Sequence, residues 1–116
     1  QEVAVLFALP EPEREAAFFR CWSRKEAYIK AVGRGMSIPL DAFDVSLAPG
    51  EPARLLEARG EAIAPGPWDM QALDVTAGYA AAVAAHGTGW SVRCWDWPRT
   101  YSASGSEIGL QSRLER

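Results

Sequence analysis

The segment Phe18-Phe19-Arg20-Cys21-Trp22-Ser23-Arg24-Lys25-Glu26-Ala27-Tyr28-Ile29-Lys30-Ala31-Val32-Gly33-Arg34-Gly35 contains no proline, and no glycine before Gly33. Upstream, Pro12 is tolerated in a first helical turn, and Glu13 and Glu15 suit the positive end of a helix dipole. One long helix is therefore predicted from Pro12 to Val32, stopped by Gly33 and Gly35. Along it, Ala16, Phe19, Cys21 or Trp22, and Ile29 form the predicted buried stripe. Arg20, Arg24, Lys25, Lys30 and Arg34 are expected to project mostly elsewhere, clustered around a single acid, Glu26.

Glu26 and Lys30 stand one helical turn apart on a shared face. Taken alone, they fit an ion pair on a solvated helix, worth about 0.2–0.5 kcal/mol. The alternative is chemical. A carboxylate gives Mg²⁺ a hard oxygen ligand, and an ammonium one turn away neutralises phosphate oxygens of the same substrate. The excess of basic residues and the Gly33-Arg34-Gly35 exit, where backbone can come close to a ligand, point toward a phosphate.

Outward from this helix, Val3, Leu6 and Phe7 recur at helical spacing ahead of Pro10, which predicts a short helix over residues 2–9. After Pro39, the alternation of Phe43, Val45 and Leu47 predicts a strand, closed by Pro49-Gly50-Glu51-Pro52. Residues 54–67 show no clear period. Trp68 to Val75 and Ser91 to Trp95 read as further strands. Residues 79–85 divide the signals: alanine content favours helix, while shortness and flanking glycines favour strand, which is the reading adopted. From Arg99 to Arg116 the chain is polar, and a mobile tail is expected there after a domain at residues 1–98. The predicted class is α+β, with a long helix packed on a small, mainly antiparallel sheet.

The bulk composition excludes several functions. At 116 residues and 48% apolar content, the chain suits one compact domain with a folded core. Its net charge of −3 gives no field for nucleic acid or an anionic membrane, so any anion site must be local. No apolar run reaches the roughly 18 residues of a membrane span, and no signal-peptide pattern opens the chain, so it reads as cytoplasmic. Cys21 and Cys94 are far apart, with no metal-ligand spacing, and read as reduced core thiols. Phe19 and Trp22 are expected to anchor the core, and the single histidine, His86, to be structural. Asp41 and Asp44 read as loop and strand-face residues. The chain opens on Gln1 and resembles a piece of something longer.

The run Trp22-Ser23-Arg24-Lys25-Glu26-Ala27-Tyr28-Ile29-Lys30-Ala31-Val32-Gly33-Arg34-Gly35 resembles the Trp-x-x-Lys-Glu-Ala-x-x-Lys-x-x-Gly-x-Gly signature of large, surfactin-synthetase-activating 4′-phosphopantetheinyl transferases. The likeness continues through Met36 to Phe43 and, more weakly, Gly78 to Ala84, where the family's fold supports a strand. It implies a C-terminal half of a pseudo-two-fold fold. It also implies transfer of 4′-phosphopantetheine from coenzyme A to a serine of an apo carrier protein, with Mg²⁺ as cofactor. By the same resemblance Glu26 would be a magnesium ligand, Lys30 would contact the coenzyme pyrophosphate, and Lys25 would assist coenzyme binding. The family completes its metal site with an Asp-x-Glu pair from the first half, whereas no aspartate precedes Asp41 here. The missing N-terminal half, or a homodimer partner, is therefore expected to complete the site. The rival expectation is a non-catalytic module whose basic face, around Arg20, Arg24 and Arg34, docks an acidic carrier protein.

Overall fold

A computed structural model describes residues 1–34, 37–59, 66–96 and 110–115. Helix α1 spans Glu2–Ala8 and helix α2 Glu11–Val32, separated by the Leu9-Pro10 corner. Pro12 lies in the first turn of α2 with Glu11 and Glu13, as the dipole favours. Gly33 ends the helix in the left-handed region at φ 80°, its N–H donating to the Ile29 carbonyl at 3.1 Å. Arg14 braces the corner: its guanidinium donates to the Leu9 and Phe7 carbonyls at 3.0 and 3.2 Å and lies over the Phe7 ring.

A short 3-10 turn at Leu40–Ala42 leads into β1 (Phe43–Val45), followed by β2 (Leu55–Ala58), β3 (Trp68–Leu73), β4 (Ala81–His86), β5 (Ser91–Asp96) and β6 (Leu110–Glu115). Among the described residues these form three two-stranded antiparallel ladders, β1-β2, β3-β4 and β5-β6. The α+β expectation holds. The strand adopted for the alanine-rich segment is present as β4, in register with β3 from Trp68 opposite His86 to Leu73 opposite Ala81. Burial against α2 on one side and pairing with β3 override alanine's helix preference. The unperiodic region after residue 54 hides β2, whose four residues are too few to show a period.

The C-terminal expectation needs correction. Leu110–Glu115 is a strand paired with β5, from Asp96 opposite Leu110 to Ser91 opposite Glu115. Its partner is the preceding strand, but the polar Ser-Ala-Ser-Gly-Ser run between them gave no hairpin signal, so the local sequence showed no sign of pairing. The proposed boundary at residue 98, and residues 99–109 of the expected tail, lie outside the described residues.

The core forms where α2 meets the sheets: Tyr28, Ile38, Phe43, Val45, Ala53 and Met70 are buried together, with Trp68 and Ala84 packed against them. The Tyr28 ring sits 4.8 Å from Phe43 and 5.0 Å from Trp68, centroid to centroid, within the range of favourable aromatic pairs. Trp68 in turn meets His86 edge-on at 5.0 Å. Gly66 is required here, because a Cβ at that position would lie 2.8 Å from the His86 ring and the backbone already has φ 102°.

The predicted stripe of α2 is also corrected. Its buried residues are Ala17, Arg24, Lys25 and Tyr28, while Phe19 and Trp22 are 49% and 46% exposed and Ala16 is exposed. Cys21 and Ile29 are partly buried against the core, as predicted. The buried face therefore follows helical spacing through residues 17, 24 and 28, but includes two long cations. The reason is the segment they cover, which presents backbone carbonyls that need donors.

Candidate site on the long helix

The basic side chains of α2 divide into two groups. Arg20 donates to the Leu47 carbonyl at 2.6 Å, and Arg24 donates to the Ser46 carbonyl at 2.5 Å and to its hydroxyl at 3.1 Å. Lys25 donates to the carbonyls of Leu40 and Phe43, the latter at 2.7 Å, and pairs with Glu2 at 2.8 Å. These three cations fasten the 40–47 segment to the helix. Arg24 is 3% exposed, and burial pushes its guanidinium below the ordinary value, with Arg20 adding repulsion. Its Nε finds no acceptor among the described residues. The expected basic docking face is thus corrected: Arg20 and Arg24 are bound to the protein's own backbone.

Glu26 and Lys30 are placed differently. Glu26 is partly buried, Lys30 is exposed, and neither joins an ion pair among the described residues. The simple pairing that their spacing allowed is absent there. Trp22 precedes Glu26 by four residues, so both lie along the flank of α2 that leads to Lys30. Gly33 and exposed Arg34 follow, and Gly35 lies outside the described residues. A half-buried carboxylate and an exposed ammonium thus lie one turn apart near the C-terminal end of α2.

Glu2 was missed by sequence reasoning. Its carboxylate meets Lys25 and also accepts from the Val45 N–H at 2.7 Å, tying α1 to α2 and β1. Twenty-three residues separate it from Lys25, so no local spacing marks the pair. Beside it, the Cys21 thiol is pushed up to about 11, chiefly by burial and next by the Glu2 charge, and stays protonated near neutral pH. Cys94 is exposed, contrary to the expected core position. Asp44 is buried and held by the two terminal guanidinium nitrogens of Arg59, at 2.9 and 3.2 Å. That hydrogen bonding holds its carboxyl below the usual carboxylate range.

A sequence model of the 4′-phosphopantetheinyl transferase superfamily matches residues 1–84. The chain belongs to this family. The 4′-phosphopantetheinyl transferase HetI of Nostoc sp. is 35% identical over 97 residues, which are 84% of this chain and 38% of HetI. Sfp, a 4′-phosphopantetheinyl transferase of Bacillus subtilis, is 44% identical over 46 residues, 40% of this chain and 20% of Sfp. The transferase gsp of Aneurinibacillus migulanus is 54% identical over 28 residues, 24% of this chain and 12% of gsp. The chain therefore spans well under half the length of these relatives. No solved structure matches it. The match covers both helices, the first two ladders up to Ala84 and every residue of the candidate site.

The fit to a magnesium ion rests on Glu26. Its carboxylate suits one hard-oxygen ligand, whereas the described residues contain no group of three Asp, Glu, His or Cys able to hold a metal. No helix among the described residues is long and apolar enough to cross a membrane.

Proposed function

We propose that this chain is the C-terminal half of a large-type 4′-phosphopantetheinyl transferase site, acting in the cytoplasm on coenzyme A and an apo carrier protein. The observation that carries this reading is the half-buried Glu26 and exposed Lys30, one turn apart and without an ion pair among the described residues, on a helix bearing the family signature. In the transfer, a carrier serine oxygen attacks the phosphorus attached to pantetheine. The pyrophosphate P–O bond breaks, adenosine 3′,5′-bisphosphate leaves, and the serine proton passes to a base.

Lys30 places a compact positive charge against the pyrophosphate, where negative charge grows on the leaving phosphate. Glu26 would supply one oxygen to Mg²⁺, and the ion when bound would withdraw charge from the phosphate oxygens. The other ligands would come from the phosphates, water and a second polypeptide segment. The family resemblance also assigns Lys25 to the coenzyme. Its three internal partners move that contact to Lys30. Phe18, Phe19 and Trp22, each close to half exposed, give the missing N-terminal half, or a second copy, an apolar flank to cover next to Glu26.

The test is transfer to an apo carrier protein, read by mass, with coenzyme A and Mg²⁺. Modification that requires a co-expressed N-terminal half of a family relative and is lost in Glu26→Gln supports the proposal. A chain that binds the carrier equally well as Glu26→Gln, and never promotes transfer, is a non-catalytic carrier-binding domain.

A further inference from the structure

Lys25 stands out because it occupies a signature position yet does not face outward. An ammonium has three N–H donors. Here three acceptors surround it: the Leu40 carbonyl, the Phe43 carbonyl and the Glu2 carboxylate. Its side chain is 8% exposed and lies over the Phe43 ring, 4.8 Å from the centroid. A phosphate could reach this nitrogen only by displacing a carbonyl or a carboxylate from a buried position. Lys30, four and five positions beyond Glu26 and Lys25, is exposed.

We infer that Lys25 is a positioning residue, which ties the Leu40–Phe43 segment to α2 and makes no contact with the coenzyme. The chain leaves α2 at Gly33, turns through Ser37 and Pro39, and returns to the helix where Leu40 and Phe43 meet Lys25. One ammonium thereby ties both ends of the Leu40–Phe43 segment to the middle of α2. Glu2 extends the tie, since its other oxygen accepts from Val45, the next strand residue but one. Tethering the Leu40–Phe43 segment limits the conformational freedom of Ser37, Ile38 and Pro39, which lead into it. Lys25 and Lys30 are the two lysines of the sequence, so the signature assigns one to holding the loop and the other to solvent.

The site against which the loop is held rests on the proposed coenzyme reading, but both tests run in the free chain and can fail separately from it. Amine acylation followed by peptide mass analysis separates the two lysines. Lys25 is expected to react at least about tenfold more slowly than Lys30, at a rate unchanged by coenzyme A with Mg²⁺. Hydrogen exchange then reads the positioning role. In Lys25→Met and in Glu2→Gln, amides of residues 37–43 lose protection while those of β3 and β4 keep theirs, a local pattern that general destabilisation does not give. Lys25 acylated as fast as Lys30, slowing of Lys25 by the coenzyme, or unaltered exchange at 37–43 in Lys25→Met each overturns the inference. Failure of the coenzyme to slow Lys30 alone counts against the proposed function and leaves slow Lys25 as support for the clamp.

Discussion

Glu26 and Lys30 stand at favourable spacing without an ion pair among the described residues, and a substitution there removes no hydrogen bond or ion pair that the structure records. Glu26→Gln and Lys30→Gln are accordingly expected to change stability by less than about 0.5 kcal/mol in urea unfolding. Asp44 behaves oppositely. Asp44→Asn takes the charge from a buried, doubly bonded carboxylate and is expected to cost about 1–2 kcal/mol. Because its folded value is depressed, the Asp44 contribution is present above the unfolded carboxylate range and lost as pH falls through the lower folded value. Acid titration of stability should therefore be flatter in Asp44→Asn than in the unaltered chain. For Cys21 the sign reverses: a thiol raised from 9.0 to about 11 favours the folded state below that window and loses its contribution as pH rises through it. Alkylation at pH 8 should modify exposed Cys94 well before Cys21, and equal rates would contradict the burial described.

Among the elements, α2 was the most legible and its orientation the least. Pro12, the early acids and Gly33 mark its ends, because these signals act within one turn. Which face it buries depends on what lies opposite. The expected aromatic stripe failed since the 40–47 segment presents carbonyl oxygens, and Arg20, Arg24 and Lys25 are the side chains long enough to reach them. The signature singles out Glu26 and Lys30 as the proposed site, whereas no sequence signal marks the Glu2 tie, because its partners come from α2 and β1. Gly33→Ala tests the helix stop: a Cβ meets nothing within 4 Å, so the cost is the left-handed backbone alone, about 1 kcal/mol in a thermal or urea midpoint. Truncation after residue 109 tests β6, and should release the exchange protection of Val92 and Cys94 in β5 without affecting β3-β4.

Across the described residues, the fold joins a polar-faced helix, a small core at Tyr28 and three ladders, and leaves aromatic side chains open along the flank that carries the candidate site. Family membership and a span of 38% of HetI accord with a site shared with further polypeptide. The decisive measurement is calorimetric titration of coenzyme A with Mg²⁺ into the chain, with and without an added N-terminal half, alongside Glu26→Gln and Lys30→Ala. Binding that requires the added half and is weakened by both substitutions is the predicted result. Binding unaffected by either substitution, or absent in every combination, would contradict the assignment of Glu26 and Lys30 to a shared coenzyme site.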